Sequence, residues 1–368
     1  ALVLSVQRVQ MSRAEKLVET AKGFDIESPI LSVNPAGEGL INDSYRVECL
    51  AHRYLLQRIN TRVFTEPEKV MQNIQRVTEH LADKARQQYG TDWQRHVLTL
   101  IPGADGNCLV HDETGGCWRM YRFIEKSTAP QSVNDPEIAY SAARAFGSFT
   151  RELADLPSPQ LHETIADFHN TPRRIEQLKA AAKENPHNRN NETDETIRRL
   201  QAHHTLAFIL HDADMPIRAV HNDTKINNVL LDAETNEALC VVDLDTVMPG
   251  LALHDFADMV RSAAAVRPEK TTRLDLDIFE SLLEGWLEGV GDILVDKEKS
   301  LLWVAPQVIT LELAARFLTD HLEGDRYFKV NHPGQNLDRA AAQLQLLESM
   351  QRNEQAMRAI SEKLLQIS

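Results

Sequence analysis

At 368 residues, 42% apolar and 26% charged, the chain can bury a substantial core as one large two-part fold or two ordinary domains, and it is too large to be a small peptide-binding module. A formal charge of −14 argues against nucleic acid or an anionic membrane as partner, since both attract surplus Lys and Arg. No apolar run reaches the roughly 18–20 residues that span a bilayer. Cys49, Cys108, Cys117 and Cys240 lack paired or metal-ligand spacing and read as free thiols of a reducing compartment. The opening ALVLSVQRVQ has no signal-peptide cleavage pattern, Met11 is a candidate start, and the expected location is the cytoplasm.

In chain order, residues 12–23 carry a helical pattern, and Pro29, Pro35, Gly37 and Gly39 then punctuate a loop. SYRVECL and HRYLLQRIN read as a hairpin. EPEKVMQNIQRVTEHLADKARQQ follows as a long amphipathic helix with Pro67 near its start, where the missing N–H does no harm. HVLTLIP and CWRMYRFIE read as two further strands. After Glu125 the character changes: DPEIAYSAARAFGSFTRELADL, RRIEQLKAAAKENP and TIRRLQAHHTLAFILHDADM are helical, as is most of the chain beyond Leu251. NNVLLDA and ALCVVDLDT, joined by AETNEA, form the expected exception, a hairpin within Val220–Val247. The polar stretch Glu184–Glu195 is the candidate mobile loop. The expected fold is α+β and bilobal: residues 1–125 form a small mixed N-terminal lobe with an antiparallel sheet, and residues 126–368 a larger, mainly helical C-terminal lobe.

The chemistry is concentrated in His221-Asn222-Asp223-Thr224-Lys225-Ile226-Asn227-Asn228, a hairpin, and then Val241-Val242-Asp243-Leu244-Asp245. Phosphoryl transfer from ATP needs a carboxylate to orient the attacking hydroxyl and oxygen ligands that place Mg2+ on the phosphates. Kinase catalytic loops read H-R-D-x-K-x-x-N with a metal-binding Asp on the next hairpin. His221, Asp223, Lys225 and Asn228 match every defined position except the Arg. Asp223 is the candidate catalytic carboxylate, and Asn228 and Asp243 are the candidate metal ligands. Lys225 is placed to neutralise the transferring phosphoryl group. The bland alternative is an Asn/Asp-rich turn with a structural His221. Upstream, Gly37-Glu38-Gly39 opens the first hairpin, where a kinase carries its phosphate-covering loop, although the same glycines suit an ordinary turn. Gln57 and Arg58 point to opposite faces of their strand, so only one can face the nucleotide, and charge favours Arg58. Glu68 and Glu79 on the long helix are candidate partner carboxylates or plain solvated residues.

At these residues the sequence resembles the aminoglycoside phosphotransferase/choline kinase superfamily, and within it the N-acetylhexosamine 1-kinases. The resemblance runs through EGLIN, YLLQRINTRVF, WRMYRFIE, TIADFHNTPRR, HNDTKINNVLLD, VVDLDTVMPG and RFLTDHLEGDRYF. It implies transfer of the ATP γ-phosphate to the anomeric C1 hydroxyl of GlcNAc or GalNAc. It also implies Asp223 as base, Asn228 and Asp243 as Mg2+ ligands, and Arg316 and Tyr327 as sugar contacts. The family's glycine loop carries a sugar-contacting histidine where this chain has Leu40, which can neither donate nor accept a hydrogen bond.

The expected mechanism is direct in-line transfer in the interlobe cleft, with no phosphoenzyme. Asp245 is expected to support the metal site or the loop, and Asp255, in HDFAD, to brace the catalytic loop through backbone contacts. Two alternatives stand beside this reading: a kinase of the same fold acting on another sugar, an aminoglycoside or an amino alcohol, and a non-catalytic nucleotide-binding scaffold. The acidic charge suits a cationic acceptor, but no aromatic cluster suggests a quaternary ammonium cage.

Overall fold

The structure is a computed structural model that describes residues 12–37, 41–157, 161–267 and 271–367. It divides into two compact units, residues 1–71 with 99–123 and residues 72–98 with 124–368.

The first unit contains helix α1 (Arg13–Lys22), strands β1 (Ser32–Pro35), β2 (Asp43–Glu48) and β3 (Arg53–Arg58), the first turn of helix α2 (Pro67–Tyr89), and strands β4 (Leu100–Ile101), β5 (Val110–His111) and β6 (Cys117–Arg122). A reciprocal capping box starts α1: Glu15 N–H donates to Ser12 Oγ and Ser12 N–H to the Glu15 carboxylate. The sheet is antiparallel, in the order β1–β2–β3–β6–β4, with β5 also paired to β6. Alternation places Tyr45 and Val47, Tyr54 and Leu56, and Trp118 and Met120 on one face, where Leu17 and Ala21 of α1 join their core. HVLTLIP yields only the two-residue β4. Val97 and Leu98 are buried outside any strand, which is the ambiguity of a short apolar run.

The second unit takes the rest of α2 and continues with β7 (Ser127–Thr128), α3 (Pro136–Glu152), α4 (Thr171–Glu184), α5 (Asn190–Ala202), α6 (Phe208–His211), β8 (Arg218–Val220), β9 (Val229–Asp232), β10 (Ala238–Val241), β11 (Met248–Gly250) and α7 (Ala252–Ala263). The short strands β12 (Ala265–Val266) and β13 (Arg273–Leu274) precede α8 (Leu276–Val290), α9 (Asp296–Ser300), α10 (Ala305–Leu322), α11 (Gln335–Arg352) and α12 (Glu354–Ile367). One core, containing Phe146, Phe256, Phe279 and Trp286, runs through these helices. Side-chain caps at Asp135, Asn170 and Asp275 start α3, α4 and α8 where the sequence turns apolar.

Two expectations are corrected. The stretch Glu184–Glu195 is not all loop: its second half is the start of α5, anchored by the buried Thr193 and with Glu192 in the first turn, where a negative charge suits the helix dipole. The continuous helix read over TIRRLQAHHTLAFILHDADM is broken after Ala202 into a 3-10 turn and the one-turn α6. The hairpin expected within Val220–Val247 is present as β9–β10. Two flanking strands that the sequence did not announce, β8 and β11, pair antiparallel with Val220 opposite Met248. That two-stranded ribbon delivers the chain to His221.

Candidate active site

The candidate catalytic loop leaves β8 at Val220 and is fixed through its backbone. Asp255, on the first turn of α7 and 1% exposed, accepts from His221 N–H (2.9 Å) and Asn222 N–H (2.7 Å), one amide on each carboxylate oxygen. Its own carbonyl accepts from Thr224 Oγ1 at 2.5 Å. This is the bracing contact expected of Asp255. Asn222 is in the left-handed region at φ 64°, which asparagine tolerates better than most residues, and its side-chain amide donates to the carbonyl of Thr246 at 3.0 Å. His221 is fully buried between the edges of Phe146 and Phe149. Its Nε2 lies 2.9 Å from the carbonyl of Val242, and Asp223 N–H donates to its Nδ1 at 3.3 Å, so its partners place the ring proton on Nε2.

Four of the sequence candidates meet here. Lys225 Nζ lies 2.7 Å from Asp223 Oδ2 and 3.7 Å from Asp243 Oδ2. Asn228 donates through Nδ2 to the backbone carbonyl of Asp223 (2.8 Å) and to Asp223 Oδ2 (3.2 Å), leaving its amide oxygen for another partner. A 3-10 turn at Ile226–Asn228 brings Asn228 back to the loop. Asp243 reaches the cluster because its backbone is left-handed, at φ 63°, just beyond β10. Burial alone would raise the Asp223 carboxyl, but the Lys225 ammonium outweighs it and brings the group down to about 2. Burial opposes the charge on Lys225, and Asp223 and Asp243 together hold it well above the usual lysine range. Asp223 is therefore a carboxylate and Lys225 an ammonium across the working pH range. Asp245, beside Asp243, is buried at 3% exposure, and its carbonyl accepts from Thr164 Oγ1.

Among the described residues, no three His, Cys, Asp or Glu side chains are grouped as a metal site. A carboxylate and an amide oxygen nevertheless fit Mg2+, which keeps several waters and takes its remaining oxygens from substrate phosphates. Asn228 and Asp243 are the residues that would hold it.

Arg316 and Tyr327 also lie together. Arg316, on α10, is 12% exposed, and its guanidinium sits 4.9 Å from the ring centroid of Phe168 and 5.7 Å from those of Tyr327 and Phe328. Asp320, one turn further along α10, accepts from the amides of Arg326, Tyr327 and Phe328 at 2.8, 2.8 and 3.0 Å, and so shapes the loop that presents Tyr327. A cavity of about 270 Å³ lies beside the catalytic loop, lined in part by Asp167, Phe168, His169, Asn222, Gly250 and His254.

In the first unit, Gly37 has a left-handed backbone (φ 73°) at the end of the β1 segment, whereas Gly39 and Leu40 lie outside the described residues. Arg58 is exposed on the face of β3 that carries Leu56, its guanidinium 5.9 Å from the Trp118 centroid. Gln57 points the other way, in register with Ser44 and Arg119. It donates to Ser44 Oγ and accepts from Arg119 Nε, both at 3.0 Å, and Arg119 is 1% exposed. Glu68 and Glu79 are exposed on α2. The sequence reading missed Arg119, Asp320, His169 and Glu312. Arg119, His169 and Glu312 act through partners distant in the chain and Asp320 through amides six to eight residues on, and no local spacing marks any of them.

Comparison with known proteins places this geometry in a class. The fold is protein-kinase-like: a spectinomycin phosphotransferase solved with ADP and spectinomycin superposes with a TM-score of 0.61 at 14% identity, covering 94% of this chain and 99% of that one. A microcompartment-associated aminopropanol kinase gives 0.60 at 14% identity over 94% and 98%. Choline kinase from Cryptosporidium parvum gives 0.59 at 14% identity over 95% and 99%. The profile of the APH phosphotransferase enzyme family matches residues 32–289, and the chain belongs to that family.

Proposed function

We propose that this phosphotransferase moves the γ-phosphate of ATP to the anomeric C1 hydroxyl of an N-acetylhexosamine such as GlcNAc or GalNAc, giving the sugar 1-phosphate and ADP. The observation that carries the transfer chemistry is the convergence of Asp223, Lys225, Asn228 and Asp243 on a loop whose backbone is clamped by Asp255. The sugar assignment rests on the resemblance through RFLTDHLEGDRYF and on Arg316 and Tyr327 standing together beside Phe168 and Phe328.

Asp223 orients the C1 hydroxyl and accepts its proton. A carboxyl held near 2 is a weak base, which suits a loose transition state where the proton leaves the nucleophile late. Lys225 balances charge on the transferring group. Mg2+, held by Asn228 and Asp243, would supply charge neutralisation and alignment of the phosphate oxygens. Gly37, Gly39 and a sheet cation, Arg58 or Arg119, are assigned to the nucleotide. Arg316 donates to sugar hydroxyls, and Tyr327 stacks or hydrogen-bonds.

The second reading is a cationic acceptor, an amino alcohol or aminoglycoside, and the observation favouring it is the pair of carboxylates, Glu163 and Asp167, on the wall of the cavity. A coupled ADP-release assay with Mg-ATP against GlcNAc, GalNAc, glucose, galactose, choline and kanamycin, with NMR location of the new phosphate, decides between them. Phosphate on C1 of an N-acetylhexosamine is the expected result. Turnover of choline or kanamycin with silence on hexosamines retracts the sugar.

A further inference from the structure

We propose that His169 is a positioning residue for the catalytic loop, holding the peptide unit between Asn222 and Asp223 and tying it to Glu312 on the helix that carries Arg316. The proposal rests on the reading of Asp223 as the catalytic carboxylate.

His169 lies between Phe168 and the capping residue of α4, and its side chain is 3% exposed. Its Nδ1 is 2.9 Å from Glu312 Oε1, and its Nε2 is 2.9 Å from the backbone carbonyl of Asn222. Both partners are oxygens that only accept. A neutral imidazole has one N–H, so one of the two contacts would set a nitrogen lone pair against an oxygen; only the imidazolium satisfies both. Glu312, fully buried, is held in turn by Thr171 Oγ1 at 2.8 Å and has Arg316 Nη1 at 4.0 Å.

The carbonyl that His169 grips belongs to the same peptide unit as the Asp223 N–H, which donates to His221. One histidine therefore holds the oxygen end of that unit and the other its N–H end. Rotation of the unit would swing Asp223 away from Lys225 and Asn228, and this pair of contacts opposes it. Asp255 fixes the two preceding amides, and the two histidines extend that bracing to the 222–223 peptide.

The surroundings agree. The groups facing His169 are Glu312 and Arg316 from α10, and His254, Asp255 and Asp258 from α7. Burial disfavours the His169 charge, but Glu312, the Asn222 carbonyl and Asp258 outweigh it and raise the group above the ordinary histidine value. His254, its ring centroid 4.7 Å away, is pushed the other way, to about 3, by burial and by the neighbouring His169 charge.

Three measurements on the whole chain test the assignment. In side-chain ¹⁵N–¹H spectra without substrates, the ring signal that disappears in His169→Leu should titrate above the ordinary histidine value of about 6.5. It should titrate at lower pH in Glu312→Gln. A ring that titrates at or below the ordinary value, or is unmoved in Glu312→Gln, overturns the proposal. Hydrogen exchange over residues 221–224 should speed up about 10- to 100-fold in His169→Leu, the range for losing a hydrogen bond to a charged donor. Unchanged exchange there overturns it. With any accepted substrate, kcat should fall by about the same factor while KM for ATP stays within about twofold; an unchanged kcat also overturns it. If the leucine variant fails to fold, Glu312→Gln carries the titration and exchange measurements. If the wild-type chain turns over no acceptor, the proposed function fails, while titration and exchange still decide the role of His169.

Discussion

Asp223 is where a single substitution separates chemistry from architecture. Its carboxylate is held by Lys225 and Asn228, and asparagine keeps its size and much of its hydrogen bonding while removing the charge. Asp223→Asn should lower kcat by roughly 10²- to 10⁴-fold, the usual contribution of a positioned acid or base, with a melting temperature close to wild type. Turnover within about twofold of wild type would remove Asp223 from the reaction. His254 gives the residue-scale prediction on pH. In the folded chain it titrates near 3, whereas an exposed histidine titrates near 6.5, and its Nδ1 is buried without a hydrogen-bond partner. Between those values the unfolded chain binds a proton that the folded chain does not, so stability falls as the pH drops below about 6.5. The limiting slope is about 1.4 kcal/mol per pH unit. His169 has the opposite sign: its contribution is complete below the ordinary histidine value and is lost only as pH rises through its own raised value. Urea denaturation at pH 7 and pH 5 should therefore show a destabilisation that is largely absent in His254→Leu. An equal loss in that variant would place the acid sensitivity elsewhere.

The elements most sensitive to a small change are α3 and α8, whose backbones approach through glycine. A Cβ on Gly147 would come within 2.6 Å of the Trp286 carbonyl, and one on Gly289 would meet the backbone of Arg144 and Ser148. Backbone cannot rotate aside as a side chain can, so Gly289→Ala should destabilise by about 1–3 kcal/mol or more, an overpacking cost that outweighs the helix propensity gained. A denaturant midpoint at or above wild type would mean that the two helices slide apart freely. The sequence announced α3 through its helical pattern and α8 only within the helical chain beyond Leu251, and not this contact, because glycine inside a helical pattern reads only as a weak point. The same limit explains β8 and β11. Three-residue strands carry no alternation to read, and their pairing is visible only once Val220 is seen opposite Met248.

At the scale of the whole molecule, what was legible was local. The candidate set at residues 221–228 and Asp243 stood out because phosphoryl transfer demands fixed residue types at fixed short spacing, and the fold class followed from strands giving way to helices after Glu125. His169 reaches Asn222 across 53 residues and Glu312 across 143, and Asp320 gathers three amides of the Tyr327 loop; contacts of this kind leave no pattern in the sequence. The global consequence of the local set is a coupling between nucleotide, metal and stability. A ligand that binds only the folded chain at 100 times its dissociation constant adds about 2.7 kcal/mol, or roughly 3–4 °C in a chain of this size. Lys225 shares its charge between Asp223 and Asp243, which leaves the trio net negative, so nucleotide phosphates should bind only weakly without metal and Mg2+ should add most of the binding through Asp243 and Asn228. Thermal melting with ADP alone, and with ADP and Mg2+, should therefore show two increments in the wild-type chain. Asp243→Asn should keep the first and lose most of the second, and EDTA should reduce wild type to the level of ADP alone. A variant that retains the full Mg2+ increment would take Asp243 out of the metal site and leave its left-handed turn as a purely structural feature.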